Sequence, residues 1–193
     1  DIPAFDMQAA CSGWLYGLSI GKSYIERGVV RHVLVIAAET MSTFTDITDR
    51  ATGFLFGDGA GAAVLGTDTR GHRLSNVVMK TDTAGYDIIY RKAGGTAMPF
   101  RSMDSPRDEY WVMDGGRMFR SAVSGFSDAI VSVVAQEDIE LSDVSWFVPH
   151  QANQRILKTV AHRLKADPKR FFSNIHRYGN TSAASIPLAL VDL

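Results

Sequence analysis

The apolar run HVLVIAA at residues 32–38 constrains the fold more than any other stretch of this chain. A near-continuous apolar run of this length predicts a β-strand that is buried on both faces. Residues Ser12–Arg27 before it carry apolar side chains at helical spacing, and Gly28 ends that helix in the manner of a C-cap. The Gly-rich stretch 53–65 after it, GFLFGDGAGAAVL, predicts a tight turn that leads into a second buried strand.

The rest of the chain continues to alternate helices with apolar strands. Long amphipathic helices are predicted over Gly116–Gln136 and Gln151–Lys165, with a short strand at Val144–Val148 between them. A further strand is predicted at Leu74–Lys80, and a last helix begins at Ser182. This alternation indicates an α/β layered architecture.

Both ends of the chain fall inside predicted elements. Ile2–Phe5 has the pattern of a strand already under way, and the chain stops at Leu193 within an apolar helical pattern. We therefore expect a piece of a larger protein that lacks both ends. Between the elements, the polar segment Thr81–Asp108 is irregular and is predicted to be a mobile lid or entrance loop.

Composition and charge argue against several classes of function. The net charge of −1 and the pI of about 6.6 give no reason to expect a nucleic-acid partner. The chain has one cysteine, which cannot form an internal disulfide and is typical of a reducing cytoplasm. No stretch approaches the roughly 18 apolar residues of a membrane span, so no membrane association is predicted. No metal site is predicted either.

That cysteine, Cys11, lies between a short apolar run and an amphipathic helix, among small residues. On a strand-to-helix turn, backbone N–H groups and the helix dipole would favour its thiolate, which is the nucleophilic form. The alternative is a small buried hydrophobic residue, the common state of a free cysteine, and the local sequence by itself favours this alternative.

Two more polar residues follow predicted elements in a way that suits a site. His150 ends an apolar strand and precedes a helix, a frequent site position in α/β proteins; a half-exposed loop histidine is the alternative. Asn180 follows Gly179 in a turn, where it would aim its amide into a site or cap the helix after it. With Cys11 they suggest a nucleophile, a donor or base, and a second donor. A papain-like protease also uses Cys, His and Asn, but the residues around Cys11 do not match one.

Four segments in this order, QAACSG, FGDGAGAAVL, VPHQANQRI and GNTSAASIP, resemble β-ketoacyl-acyl-carrier-protein synthase III of the thiolase-like superfamily. The resemblance runs through essentially the whole chain. It implies an α/β fold of the thiolase-like type, with layers αβαβα and duplicated halves with mixed sheets, of which this chain holds only part. Residues 1–66 would be the remainder of the N-terminal half with the nucleophile. Residues 67–193 would be most of the C-terminal half, with His150 and Asn180.

The resemblance also implies a reaction. Cys11 would be the acylated nucleophile, and His150 and Asn180 would form the pair that supports decarboxylation. The implied activity is a decarboxylative Claisen condensation of an acyl-CoA starter, expected to be acetyl-CoA, with malonyl-acyl-carrier protein at the start of fatty acid synthesis. It needs no cofactor beyond the CoA thioesters, which are substrates. The alternatives are a starter-specific ketosynthase or acyltransferase of a secondary-metabolite pathway and an inactive, truncated subunit.

Further substrate-binding positions carry over from the family by resemblance. Arg50 would contact the CoA adenine, and Asn153 would line the pantetheine channel. Phe56 would wall the acyl pocket, with a plain core phenylalanine as the alternative.

Protein partners are implied in the same way. The acidic carrier protein would bind Arg120 and the segment Gln151, Ala152, Asn153, Gln154 and Arg155. Five more basic residues would extend this surface or form a solvated helix face: Lys158, Arg163, Lys165, Lys169 and Arg170. A homodimer that pairs through the strand near Ile2–Met7 and a cytoplasmic location are expected.

Overall fold

The computed structural model describes residues 2–68 and 71–193. Its N-terminal part consists of helix α1 (Gly13–Glu26) and strands β1 (His32–Thr40) and β2 (Asp58–Gly66). The strands pair antiparallel, with His32 opposite Gly66 and Thr40 opposite Asp58. The first predicted helix and the two strands after it are therefore confirmed in position.

Burial alternates along β1 and β2, so each strand has an inner and an outer face. The inner face places Val35 in one core with Trp14 of α1 and with residues 183–186. On the outer face Leu34 and Ile36 are 57% and 62% exposed. The prediction of burial on both faces is wrong for this chain, because no other described residue covers the outer face.

The C-terminal part is built around helices α2 (Gly115–Gln136) and α3 (Gln154–Arg163), which pack against each other. A second antiparallel pair, β3 (Ile89–Arg91) and β4 (Trp111–Met113), precedes them. α3 begins later than predicted because Asn153 caps its first turn. The core of this part is a cluster of apolar side chains: Val123, Phe147, Ile156, Val160, Ala161 and Phe171.

The last segment connects the two parts. It contains the short helix α4 (Ile175–Tyr178) and helix α5 (Ser185–Asp192), which packs on β2. Residues 180–187 are all buried, although half of them are polar. The turn predicted before residue 182 and the helix after it are confirmed. The predicted division of the chain after residue 66 stays a prediction.

Three predicted strands do not form. Ile2–Phe5 and Leu74–Lys80 lack regular structure, because no described strand pairs with them. Within Val144–Val148 there is only a single bridge, from Phe147 to Phe171. The segment 81–108 is irregular as predicted, apart from β3 and short 3-10 turns, and its role as a lid stays a prediction.

Helix α2 is the one helix among residues 2–68 and 71–193 with the length and hydropathy of a membrane span. This differs from the prediction that no stretch approaches a membrane span. Helix α2 reaches this hydropathy because several of its polar positions are small Gly and Ser residues rather than charged ones. α2 also carries Arg117, Arg120 and Asp128 and packs on α3 with a face that includes Val123 and Phe126, as an amphipathic helix of a layered fold does.

Candidate active site

Cys11 lies in a 3-10 turn, Ala10–Ser12, that continues directly into α1. The residue before it, Ala10, has φ 45°, in the left-handed region that costs a non-glycine residue about 1–3 kcal/mol. This turn packs against a second 3-10 turn, Ser182–Ala184. The nucleophile candidate is therefore enclosed between the first and last segments of the chain.

Burial raises the pKa of the Cys11 thiol. A hydrogen bond with the Ser182 side chain opposes this effect, and the nearby Glu39 carboxylate raises the pKa further. Glu39 accepts a hydrogen bond from the backbone of Ala183, while desolvation raises its own pKa. The expected preference for the thiolate is thus outweighed by burial, and the resting form of Cys11 is the neutral thiol.

His150 follows the bridge residue Phe147 and is half-buried. Its Nδ1 lies 2.6 Å from Ser185 Oγ, and this same oxygen accepts a hydrogen bond of 3.2 Å from the Gln151 N–H. Desolvation lowers the pKa of His150 to about 4, although an interaction with the Ser182 backbone opposes the shift. The imidazole is therefore neutral at physiological pH.

Asn180 is held on both sides of its backbone by the segment that precedes β2. Its N–H donates to the Leu55 carbonyl at 2.8 Å, and its carbonyl accepts from the Gly57 N–H at 3.0 Å. A Cβ at Gly57 would lie 2.0 Å from the Tyr178 carbonyl oxygen, so this close approach requires glycine. The Asn180 side-chain Oδ1 accepts from the Ser182 N–H at 2.9 Å. The capping role therefore uses the oxygen, and the Nδ2 amide remains available to a substrate.

Ser182 touches all three candidates. Its hydroxyl bonds the Cys11 thiol, its N–H donates to Asn180, and its backbone interacts with His150. It is buried and has φ 49°, a strained value for a serine. The structure thus brings Cys11, His150 and Asn180 together around one turn.

Sequence reasoning missed Ser182, Ser185 and Glu39. The two serines lie in TSAAS, where they flank two alanines and an apolar helix follows. Small polar residues at fully buried positions would have indicated a site. Their burial cannot be read from the sequence, because it arises only when the strands and α5 pack together. Glu39 lies at the end of β1, where the sequence indicates only a strand end.

The predicted CoA and acyl residues, Arg50 and Phe56, both lie near Trp111. Arg50 is exposed and lines an open cavity of about 480 Å³ together with Arg107, Asp46 and Trp111. Phe56 forms the bridge to Asn180, and its ring lies 6.0 Å from that of Trp111. Phe56 is therefore adjacent to Asn180, whereas Arg50 lies with Trp111 at the open cavity.

Gln151 differs from its predicted role. Its side chain is buried, and its Nε2 donates to the carbonyls of Pro149 and Phe172, while its Oε1 accepts from the Asn174 N–H. This amide is consumed in holding chain segments together. Its side chain cannot contact a carrier protein, and that part of the prediction is corrected.

The remaining carrier-protein candidates form a mixed group. Ala152 is half-buried in the core between α2 and α3, and Gln154 is exposed and bonded to Ser173. Asn153 caps α3 with its side-chain oxygen. Arg155 is exposed and lies over the Phe119 ring at 5.8 Å.

The residue after Phe119 is Arg120, which is exposed. Arg120 lines a cavity of about 280 Å³ at the start of α2. Of the five basic residues expected to extend this surface, Arg170 donates to the carbonyls of Ser142 and Val144, so its charge is held by the fold. The other four are exposed: Lys158, Arg163, Lys165 and Lys169.

Within residues 2–68 and 71–193, no group of three or more His, Cys, Asp or Glu side chains is arranged to hold a metal ion.

The chain matches two family models that describe two parts of one enzyme. Residues 5–83 match 3-oxoacyl-[acyl-carrier-protein (ACP)] synthase III, and residues 134–193 match the C-terminal model of the same synthase. Together the matches cover most of the chain.

Individual relatives agree. The β-ketoacyl-[acyl-carrier-protein] synthase III of Chlamydia pneumoniae is 40% identical over 195 residues, which cover 100% of this chain and 58% of that protein. The structure of the same synthase from Thermus thermophilus aligns with a TM-score of 0.84 and 35% identity, over 97% of this chain and 58% of that one. The priming β-ketosynthase of the R1128 polyketide pathway aligns with a TM-score of 0.80 and 35% identity, over 96% and 55%.

These alignments confirm the predicted thiolase-like α/β fold. The chain spans less than two thirds of the length of the relatives it matches.

Proposed function

Because the chain belongs to the 3-oxoacyl-[acyl-carrier-protein] synthase III family, we propose that it carries the catalytic centre of a decarboxylative condensing enzyme. This enzyme joins an acyl-CoA starter to malonyl-acyl-carrier protein and so initiates fatty acid synthesis. The observation that carries the proposal is the meeting of Cys11, a neutral His150 and Asn180 around the Ser182 turn.

The first half-reaction acylates Cys11. Its sulfur attacks the thioester carbonyl of the acyl-CoA, and the CoA sulfur leaves. The thiol proton passes to the departing CoA sulfur, so CoA leaves as the free thiol. Since burial raises the pKa of Cys11, the thiol gives up its proton only as the CoA sulfur takes one up, while the pKa of about 4 keeps His150 neutral.

The second half-reaction releases CO₂. His150 Nε2–H and Asn180 Nδ2–H donate to the thioester carbonyl of the malonyl group and stabilise the enolate that forms. Each such donor stabilises a transition state by roughly 2.7–4 kcal/mol. The carbanion then attacks the acyl carbonyl on Cys11, and the sulfur leaves as a thiolate that takes up a proton from solvent. Neutral donors suit this step, because an anionic side chain would repel the malonyl carboxylate.

Ser185 orients His150 for that donation. Its oxygen accepts from Gln151, so its one hydrogen is free to point at Nδ1, 2.6 Å away. An Nδ1 that accepts a hydrogen bond requires the tautomer with the proton on Nε2. Ser185 is thus a positioning residue that acts through His150.

Binding of the larger substrates follows the family resemblance. Arg50 with its cavity would hold the CoA nucleotide, Asn153 would line the pantetheine channel, and Arg155 and Arg120 would meet the acidic carrier protein. The two arginines would act mainly on the association rate and its salt dependence. A cytoplasmic homodimer without further cofactors completes the proposal.

A starter-specific ketosynthase is the second candidate. The similarity to a priming β-ketosynthase of a polyketide pathway favours it, at an identity equal to that of the Thermus thermophilus synthase. Both candidates share the acyl-Cys intermediate and differ in the starter.

The test is intact-protein mass spectrometry of the complete enzyme incubated with single acyl-CoAs. We expect a mass increase of one acyl group on the wild type and none on Cys11→Ala. Malonyl decarboxylation, measured as CO₂ release, should fall in His150→Ala and in Asn180→Ala. An acyl adduct that persists in Cys11→Ala overturns the proposed nucleophile, and an adduct only with unusual starters selects the second candidate.

A further inference from the structure

An aromatic wall stands next to the proposed acyl site. It is formed by Phe56, Trp111, Phe44 and Arg91, and we call it the Trp111 wall. The Phe56 and Trp111 rings are 6.0 Å apart, and the Trp111 and Phe44 rings meet edge to face at 6.3 Å. The Arg91 guanidinium lies 4.0 Å from the centre of the Phe44 ring. We call residues 180–185, around which Cys11 and His150 lie, the catalytic turn. Since Phe56 bridges to Asn180, the wall extends from the catalytic turn to this cation.

Arg91 and Trp111 face the same side of the hairpin. They lie opposite each other in the pairing of β3 with β4, and both are half-buried. The next pair of the same two strands, Tyr90 and Val112, lies on the hairpin's other face and is exposed. The hairpin therefore directs its cation and its indole inward, towards the wall.

Both inward donors lack a hydrogen-bond partner. Arg91 Nη1 and Trp111 Nε1 are buried, and no described residue accepts a hydrogen bond from either. A buried donor without a partner is costly, and a charged one more so. Two such donors on facing residues indicate that a ligand supplies the acceptor.

Acidic residues of the same segment do not neutralise Arg91. Asp108 pairs with Lys92 at 3.1 Å, and Asp87 pairs with both terminal nitrogens of Arg117 at 2.9 Å. Among the described residues, the only interactions of the guanidinium are with the rings of Phe44 and Phe100. A cation stacked on rings keeps its in-plane N–H groups available to an anionic oxygen.

The chain is shaped to keep the guanidinium in this place. Gly94 has φ 100°, and a Cβ there would lie 2.6 Å from Arg91 Nη2 and 2.8 Å from Phe100 Cζ. Only glycine allows the loop to turn at this point and to lie so close to the arginine.

We propose that the Trp111 wall selects a starter whose acyl group ends in a carboxylate, which Arg91 and Trp111 Nε1 bind. The proposal rests on the proposed function and refines its starter: an acetyl group is too short to present an acceptor away from the thioester. An anionic oxygen could also come from a phosphate of CoA, whose proposed site borders Trp111. The two sources give different results in the following experiment.

The complete enzyme is acylated with pairs of acyl-CoAs of equal carbon number: succinyl- and butyryl-CoA, and glutaryl- and pentanoyl-CoA. The rate of adduct formation on Cys11 is measured by mass spectrometry. We expect at least a tenfold preference for the carboxylate member of one pair. Arg91→Met, which keeps an unbranched apolar stem and removes the guanidinium, should abolish this preference and leave the alkyl member unimpaired. Arg101→Met, an exposed arginine of the same segment, is the matched control and should change nothing.

Three results would overturn the inference. One is a preference for the alkyl members in the wild type, and another is a carboxylate preference that survives in Arg91→Met. The third is an equal loss for all acyl-CoAs in Arg91→Met, together with weaker binding of free CoA, which assigns the anion to a CoA phosphate. In all three the wild type still forms an adduct, so the proposed function stands. If no acyl-CoA forms an adduct with the wild type, the proposed function fails as well.

Trp111→Phe provides a second variant that keeps an aromatic ring at this position and removes the indole N–H together with part of the ring system. It should reduce the carboxylate preference less than Arg91→Met does, because it deletes a neutral donor rather than a charge. A thermal melting curve for each variant distinguishes a loss of selectivity from a loss of folding.

Discussion

The catalytic turn and the Trp111 wall hold their polar side chains by different interactions. In the catalytic turn, each donor has one polar atom fixed by the protein: Ser185 meets Nδ1 of His150, and the Ser182 N–H meets Oδ1 of Asn180. In the wall, the side chains of Arg91 and Trp111 contact aromatic rings, and Arg91 Nη1 and Trp111 Nε1 have no hydrogen-bond partner among the described residues. Hydrogen bonds fix direction, which an enolate requires, whereas stacking fixes only a plane, within which a guanidinium can adjust to the end of a flexible acyl chain.

The largest effect is expected where a fixed donor is removed without disturbing what fixes it. Asn180→Asp keeps an oxygen for the Ser182 N–H but cannot donate, and it adds a charge that repels the malonyl carboxylate. Condensation should fall by about 10²–10³-fold or more, as for the loss of an oxyanion donor. Steady-state condensation rates test this, with Cys11 acylation as the internal control. Equal losses in acylation and condensation would show that Asn180 acts on the fold and not on decarboxylation.

A pH titration tests the neutral state of His150 through stability. Its pKa is about 4 in the folded protein and about 6.5 when unfolded, so the unfolded chain binds the extra proton first as pH falls. The contribution is fully present above pH 6.5 and is lost as pH falls towards 4, by up to about 3 kcal/mol. Denaturant unfolding of the wild type and His150→Gln over this range measures it. Parallel pH dependences for the two proteins would contradict the depressed pKa.

Ser185→Ala should produce a smaller loss, of about fivefold in condensation, because it removes the hydrogen bond of roughly 1 kcal/mol that orients His150, together with the one from the Gln151 N–H. The loss should be independent of the starter, since Ser185 acts only through His150. The ¹⁵N chemical shifts of the imidazole give a readout that a purely structural role would leave unchanged: Nε2 should be protonated in the wild type and mixed in the variant. Ser121→Ala, at an exposed serine of α2, is the control.

The smallest expected effect is the interaction between the two regions. If the catalytic turn fixes direction and the Trp111 wall selects the starter, the two substitutions act independently. The changes in activation free energy caused by Ser185→Ala and Arg91→Met should then add within about 0.3–0.5 kcal/mol in a double-mutant cycle. The measurement is kcat/KM for succinyl-CoA and butyryl-CoA in all four proteins. A larger coupling would mean that the wall also positions His150, so that the two regions would not have separate roles.

The sequence indicates the elements of this fold better than their surroundings. Apolar runs and helical spacing place α1, β1 and α2 correctly, because local periodicity determines them. They do not tell that Leu34 and Ile36 stay exposed, since burial of a strand face depends on which other segments are present. Leu74–Lys80 fails as a strand for the same reason: its composition fits, but no described strand pairs with it.

The candidate site shows the same division. The motifs identify Cys11, His150 and Asn180 as candidates, and the structure places them around one turn. The state of the thiol is not readable from the sequence, because its pKa depends on burial and on Glu39 and Ser182, which are distant in sequence. Gln151 adjoins His150 in the motif but faces the interior, which only its three hydrogen bonds reveal.

Because Cys11 lies against the turn at residues 182–184, its reactivity reports when these two distant segments come together during folding. Contacts between residues this far apart in sequence form late, because closing so large a loop is entropically costly. The only thiol of the chain should therefore react readily with an alkylating reagent until the 182–184 turn docks, and slowly afterwards. Pulsed alkylation during refolding would time the moment at which the ends of the chain meet, without any engineered label.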